Sequence, residues 1–189
     1  MFLNITRKLY SFLIDIVQTV LIAAAIFLVI YTFLFRPFEV KGESMYPNFK
    51  DKEYVLTNLI ALRLSSPKTG DVIVFKAPPD PEKDFIKRII GVEGDMIALR
   101  DGNIYKNGKL LDESSYLKPS VKTYGGSFIK DNQPFQVPLS EYFVLGDNRF
   151  YSSDSREWGF VPKSSVIGES FFVYWPPEDL GFVKNPYSN

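Results

Sequence analysis

FIKRIIGVEGDMIALRDGNIYKNG, residues 85–108, is the stretch on which the fold class turns. Phe85 to Ile90 and Met96 to Arg100 are short strand-like runs bounded by turn chemistry. Asp101-Gly102 and Asn107-Gly108 supply the residues that two-residue hairpin turns need at positive φ. The segment therefore reads as an antiparallel meander.

Outward from it, Tyr54 to Thr57, Asp71 to Phe75, Tyr142 to Leu145 and Ser170 to Tyr174 have the same character. Aromatic residues make up 16% of the chain, many of them alternating with Val and Ile, which favours strands over helices beyond the N-terminus. Residues 114–138 are polar, rich in Gly and Pro and weakly patterned, as expected of an excursion from the core sheet. A small inserted subdomain is accordingly expected at about 101–138. No internal repeat, heptad or low-complexity tract is visible, and Asn185 to Asn189 reads as a loose tail.

From Val17 to Phe35 the chain is apolar except for Gln18, Thr19 and Thr32. As a helix this run measures roughly 28 Å, about the thickness of a bilayer's hydrocarbon core. Arg7 and Lys8 precede it, and Tyr31, Phe33, Phe35 and Phe38 gather toward its far end, where aromatic rings favour the membrane interface. A cleavable leader would end in a small-x-small site, whereas Phe35-Arg36-Pro37-Phe38 follows here. A buried core helix would carry a polar stripe, and none appears after Thr19. The expectation is an N-terminal segment 1–13, a single transmembrane helix 14–35 and an extracytoplasmic domain 36–189. The charge bias favours the N-terminus inside, with Arg36 and Lys41 on the far side offset by Glu39 and Glu43.

A chain of 189 residues leaves room, besides the anchor, for one compact domain or a small domain with an insertion. Lys plus Arg and Asp plus Glu both number 22, so no basic excess advertises a nucleic-acid partner. Cysteine and histidine are both absent, which removes disulfides, thiol nucleophiles, zinc-thiolate sites and every mechanism built on imidazole. Nucleophilic catalysis in this chain has to find another base.

Three segments combine special backbone residues with polar side chains that a plain β core does not need: residues 42–47 (GESMYP), 87–91 (KRIIG) and 146–156 (GDNRFYSSDSR). Ser44 lies between a glycine and a proline that force a bend and can present its hydroxyl outward, although a serine in such a turn is equally at home as a surface or capping residue. In an extended run, Phe85, Lys87 and Ile89 share one face while Ile86, Arg88 and Ile90 share the other. Lys87 is then either an edge-strand charge that blocks aggregation or a buried amine. The difference matters chemically: at a pKa of ~10.4 about one lysine in 2,500 is neutral at pH 7, and at ~8 about one in ten. That shift costs roughly 3 kcal/mol, which desolvation in a dry site supplies. The third segment, with Asp147, Arg149, Asp154 and Arg156 around Ser152 and Ser155, reads by composition as a solvated charged turn.

Taken together, these segments resemble the type I signal peptidases, membrane-bound Ser/Lys proteases that remove signal peptides from exported proteins. The likeness lies in Ser44-Met45-Tyr46-Pro47, in Gly70-Asp71-Val72-Ile73-Val74-Phe75, in Lys87-Arg88-Ile89-Ile90-Gly91, and in Gly146-Asp147-Asn148-Arg149 continuing through Ser152, Asp154, Ser155 and Arg156 to Trp158-Gly159-Phe160. They occur in the family's order, and the resemblance runs from about residue 15 to 175.

The resemblance implies a mainly β catalytic domain of the signal peptidase and self-cleaving repressor type, with a small β insertion behind a single membrane helix. It implies Ser44 as nucleophile and neutral Lys87 as general base, with Ser152 hydrogen-bonding the lysine to orient it. It also implies a salt-bridged Asp154 and Arg156 that shape the loop, Asp147 in the same supporting shell, and Met45 beside the nucleophile. Substrates would be preproteins held at the plasma or inner membrane and cut after small-x-small sites. Phe38, Val40, Met45, Phe85 and Ile86 are the expected walls of shallow apolar pockets, or else ordinary core residues. No metal or organic cofactor is implied, the partners are signal peptides and the lipid bilayer, and the sequence carries no signal of oligomeric state.

Two departures from the family pattern stand out. Where some members place a serine that donates to the oxyanion, this chain has Gly42, so a backbone amide or water has to join the Ser44 N–H. Asn48 stands where a threonine commonly follows the proline. Soluble self-cleaving repressors carry a DNA-binding domain where this chain has its apolar run, and the relatives that use histidine as base are excluded by composition. The remaining alternative is an inactive membrane-tethered β domain that binds exported chains.

Overall fold

The computed structural model describes residues 2–60 and 66–188. Helix α1 runs Phe2–Phe33, so residues 2–13 are helical as well and the helix is longer than the span 14–35 expected from hydropathy. At the other end Phe35 belongs to a strand rather than to the helix. Pro37 supplies the reason: it offers no N–H to a helix and confines Arg36 to extended backbone. Strand β1, Phe35–Glu39, tolerates that proline because it lies at the sheet edge.

The following strands are β2 (Tyr54–Asn58), β3 (Val72–Ala77), β4 (Asp80–Val92), β5 (Met96–Arg100), β6 (Asn103–Lys106), β7 (Lys109–Leu110), β8 (Phe135–Gln136) and β9 (Glu141–Leu145). A one-turn helix α2 (Ser155–Trp158) precedes β10 (Val161–Pro162), β11 (Val166–Trp175) and β12 (Gly181–Phe182). The larger sheet is ordered β1-β2-β11-β3-β4-β9-β10 with β12 against β11, and the smaller is ordered β7-β6-β5-β8. Every pairing is antiparallel. The molecule is mainly β behind an apolar N-terminal helix.

The hairpins of the smaller sheet form on their turn residues: Asp101 and Gly102 take φ of 50° and 74°, Asn107 and Gly108 of 53° and 80°. Its apolar positions Ile97, Leu99 and Ile104 pack on Ile90, Phe143 and Leu145, which belong to one face of the larger sheet. The other face of the same strands contributes Ile89, Tyr142 and Val144 to a second cluster with Ile73, Phe75, Val161 and Val166. Strands β4 and β9 are thus buried on both faces, which is why their sequences read as near-continuous apolar runs.

Strand β4 begins five residues before the apolar run that revealed it, because Asp80 to Asp84 are mostly exposed and polar. It pairs with β3 along most of its length, but its ladder with β9 starts only at Arg88. Below that point, from Lys87 back toward Phe85, one edge of β4 opens onto a cleft. The C-terminal segment is tied down rather than loose. Asn185 Nδ2 donates to Thr69 O at 3.0 Å and Asp71 Oδ1 at 2.5 Å, and Tyr187 Oη donates to Asp112 O at 2.9 Å.

Candidate active site

Ser44 rides on the connection between β1 and β2, residues 40–53. The loop is closed at its base, where Val40 N donates to Glu53 O at 2.7 Å and Lys52 N to Val40 O at 2.8 Å. Met45 and Phe49 point down from it into an apolar cluster with Val40, Val55, Val72 and Val173. Burial of side chains of this size stabilises by about 2 kcal/mol each, enough to hold the loop on the sheet. Met45 is completely buried, so it is part of the floor that seats Ser44 and does not line the cleft as the sequence suggested.

From the opposite side the 146–154 loop grips the backbone: Asn148 N donates to Ser44 O at 3.0 Å and Asn148 Nδ2 to Glu43 O at 3.0 Å. Gly146 permits this close approach, since a Cβ there would fall 2.4 Å from Ser44 O and 2.2 Å from Ser152 Oγ.

Lys87 is 3% exposed, which removes the edge-charge alternative. Its Nζ lies 2.7 Å from Ser44 Oγ and 2.9 Å from Ile86 O, over the Phe85 ring at 5.1 Å from its centroid. Burial lowers its pKa to about 8, opposed by the negative charges of Asp154 and Asp147, which favour the ammonium. A substantial neutral fraction next to a serine hydroxyl is what proton transfer from Oγ needs.

The polar loop is not a solvated turn. Asp147, Asp154, Ser155, Arg149 and Arg156 are all buried. Arg156 pairs with Asp154, Nε to Oδ1 at 2.7 Å and Nη2 to Oδ2 at 2.8 Å, and Asp154 also accepts from Gly146 N at 3.0 Å. Ser155 Oγ accepts from Val144 N at 3.0 Å, which binds the loop to β9.

Asp147 has a partner the sequence did not announce. Arg88 Nε and Nη2 donate to its two oxygens at 2.9 and 2.6 Å, with the guanidinium 4.4 Å from the Tyr116 ring centroid. Arg149 forks onto Glu113, likewise unannounced, at 2.5 and 3.2 Å. The available signal was the pair of successive cations Lys87-Arg88 inside an apolar strand, where each requires compensation if buried.

One expectation needs correction. Ser152 is buried, but its Oγ finds no hydrogen-bonding partner among the described residues, so the expected bond to Lys87 is not made in this state. Lys87 is held instead by Ser44 and the Ile86 carbonyl. Gly42, at φ +82°, has open space where a serine side chain would project, and its own N–H donates to Asp51 Oδ1 at 2.6 Å. That amide is therefore not the second oxyanion donor.

A cleft of about 820 Å³ opens over Ser44 and Lys87, with Phe38, Val40, Phe85 and Ile86 in its walls. Tyr151 and Ser153 stand on its other rim. Among the described residues no cluster of three or more carboxylates is arranged to hold a metal.

A model of the signal peptidase family, peptidase S26, matches residues 13–175. A probable signal peptidase I-2 from Synechocystis sp. is 36% identical over 174 residues, 89% of this chain and 76% of that protein. Signal peptidase IB from Staphylococcus aureus is 34% identical over 187 residues, 92% of this chain and 95% of that one. A crystal structure of a signal peptidase I from Enterococcus faecalis V583 aligns with 56% of this chain and 97% of its own, at 32% identity and a TM-score of 0.44.

Proposed function

We propose, from the premise that this chain belongs to the signal peptidase family, peptidase S26, and is a serine endopeptidase, that it removes signal peptides from exported preproteins with Ser44 as nucleophile and neutral Lys87 as general base. The observation that carries the assignment is the 2.7 Å contact between Lys87 Nζ and Ser44 Oγ, with the lysine almost wholly buried and its pKa lowered to about 8.

Ser44 Oγ attacks the scissile carbonyl as its proton passes to Lys87 Nζ. The ammonium then protonates the leaving amine, the C–N bond breaks, and an ester on Ser44 Oγ remains. Lys87, neutral again, takes a proton from water as its oxygen attacks the ester, then returns that proton to Ser44 Oγ as the ester C–O bond breaks and the signal peptide leaves as a carboxylic acid. Ser44 N–H stabilises the oxyanion. When Ser44 is acylated Lys87 loses its hydroxyl partner, and the unpaired, buried Ser152 Oγ is suited to orient it. Asp147, Asp154 and Arg156 hold the loop that supports both.

A preference for small side chains at the cleavage site is supported by Phe38, Val40, Phe85 and Ile86, which line the cleft beside Ser44 and are packed on core residues. The open edge of β4 offers backbone groups to an extended substrate, as strand addition requires.

Tethering is supported by α1, whose residues Arg7–Tyr31 are long and apolar enough to cross a bilayer and are exposed. Phe35 enters the sheet two residues after the helix ends, which keeps the cleft near the membrane surface where a membrane-held signal peptide presents its cleavage site. The chain would thus pass once through the plasma or inner membrane, with residues 36–189 and their inserted unit at 101–138 outside the cytoplasm.

The test is cleavage of a preprotein with an Ala-x-Ala site in detergent by the intact chain, Ser44→Ala and Lys87→Ala, all shown to be folded. Cutting by the intact chain alone supports the dyad. Failure of all three points to an inactive binding domain, and cutting by Lys87→Ala removes the lysine from the mechanism.

A further inference from the structure

Asn48, the second of the two departures from the family pattern, has an amide nitrogen that makes two long-range contacts. Nδ2 donates to Asp147 Oδ2 at 2.8 Å and to Tyr116 O at 2.9 Å. Both acceptors belong to residues that hold Arg88: Asp147 as its buried counter-ion and Tyr116 as the ring its guanidinium faces at 4.4 Å. Arg88 in turn is the neighbour of Lys87 on β4 and donates from Nη1 to Gly70 O at 2.9 Å. Asn48 itself lies four residues beyond Ser44, on a loop whose two ends are pinned by backbone hydrogen bonds.

We infer that Asn48 is a positioning residue, which fixes the distance between the nucleophile's loop and the strand that carries the base by clamping both partners of Arg88. The inference rests on the Ser44 and Lys87 assignment above. An asparagine suits this role because one nitrogen carries two N–H groups and serves two acceptors at once, whereas a threonine hydroxyl has a single proton to give. Without the clamp, the hydrogen bonds from Asn148 still hold the Ser44 segment to the 146–154 loop, but the far end of the Ser44 loop is less firmly tied to Arg88 on β4. Displacements of about 1 Å between reacting groups cost on the order of 100-fold in rate.

The experiment compares the full-length chain with Asn48→Ala and Asn48→Thr in detergent, measuring kcat, KM and melting temperature. Competent molecules are counted by titrating Ser44 with an acylating probe. The expected result for Asn48→Ala is a fall in kcat per titrated site of ~10- to 100-fold with KM changed less than about twofold. Asn48→Thr, which keeps one of the two donors, is expected between Asn48→Ala and the parent. A loss that vanishes when activity is divided by titrated sites, or an unchanged kcat in either variant, overturns the inference. Should Asn48→Ala not fold, Asn48→Thr decides alone. Failure of the dyad itself is recognised separately, by residual cleavage in Ser44→Ala.

Discussion

Arg88 closes on Asp147 through two parallel hydrogen bonds, Nε to Oδ1 at 2.9 Å and Nη2 to Oδ2 at 2.6 Å, with both side chains almost completely out of water. The fork lies one residue along β4 from Lys87. It gives a buried cation its anion and, at the same time, sets a negative charge where it favours the lysine's ammonium.

Asp147→Asn separates these two effects. Arg88 loses its counter-ion inside the protein, and removing one partner of a buried pair costs about 3–5 kcal/mol. Chemical denaturation is expected to report a loss of that size. Because the Asp147 charge holds the Lys87 pKa up, its removal also lets that pKa fall further, so the acid limb of the activity profile moves to lower pH. A profile that stays in place, or moves to higher pH, contradicts the electrostatic account.

As the proposed base, Lys87 would act only when neutral, so kcat/KM is expected to rise with pH and level off above an inflection near its pKa of about 8. The same depression has a stability consequence. In the unfolded chain the lysine stays protonated up to its ordinary pKa of 10.5, so between about 8 and that value the unfolded state binds the extra proton and stability rises with pH. Below about 8 both states are protonated and the full desolvation cost applies. Lys87→Met removes it: at pH 7 this variant is expected to be inactive but more stable by about 1–3 kcal/mol. The gain should shrink as pH rises from 8 toward 10.5. Thermal unfolding across that range checks both the sign and the window.

Ser152→Ala deletes a hydroxyl that is buried without a partner, so its expected effect on stability lies between neutral and about 1 kcal/mol of gain. Its expected effect on turnover is a fall in kcat, since the acyl-enzyme lysine loses its orienting acceptor. Gly146→Ala is the contrast: its Cβ collides with both Ser152 Oγ and Ser44 O, so melting temperature and kcat should drop together. A Ser152→Ala enzyme with unchanged kcat would confine that serine to a structural role.

The hairpins of the smaller sheet could be read in advance because they depend on residues adjacent in sequence, Asp101-Gly102 and Asn107-Gly108, which tolerate positive φ. The strands β7, β8, β10 and β12 could not, since two residues are too few to show alternation. Ser44 and Lys87 were reachable through the resemblance. The pairings of Arg88 with Asp147 and of Arg149 with Glu113 were not, because a charged residue in the sequence, even one set in an apolar strand, does not say which opposite charge awaits it across the fold.

By itself the sequence determined the apolar helix, the predominance of strands, the turns between them, and the exclusion of every histidine- or cysteine-based mechanism. Those are consequences of local backbone preference, hydropathy and composition, which act along the chain. Only the tertiary structure decided that Lys87 is a buried amine rather than an edge charge, that Met45 belongs to the floor under Ser44, and that Asn48 reaches Asp147. Each depends on groups tens of residues apart meeting in a low-dielectric interior, where burial lowers the lysine's pKa and unpaired charge is costly, and that meeting is fixed by the packing of β4, β9 and the two loops.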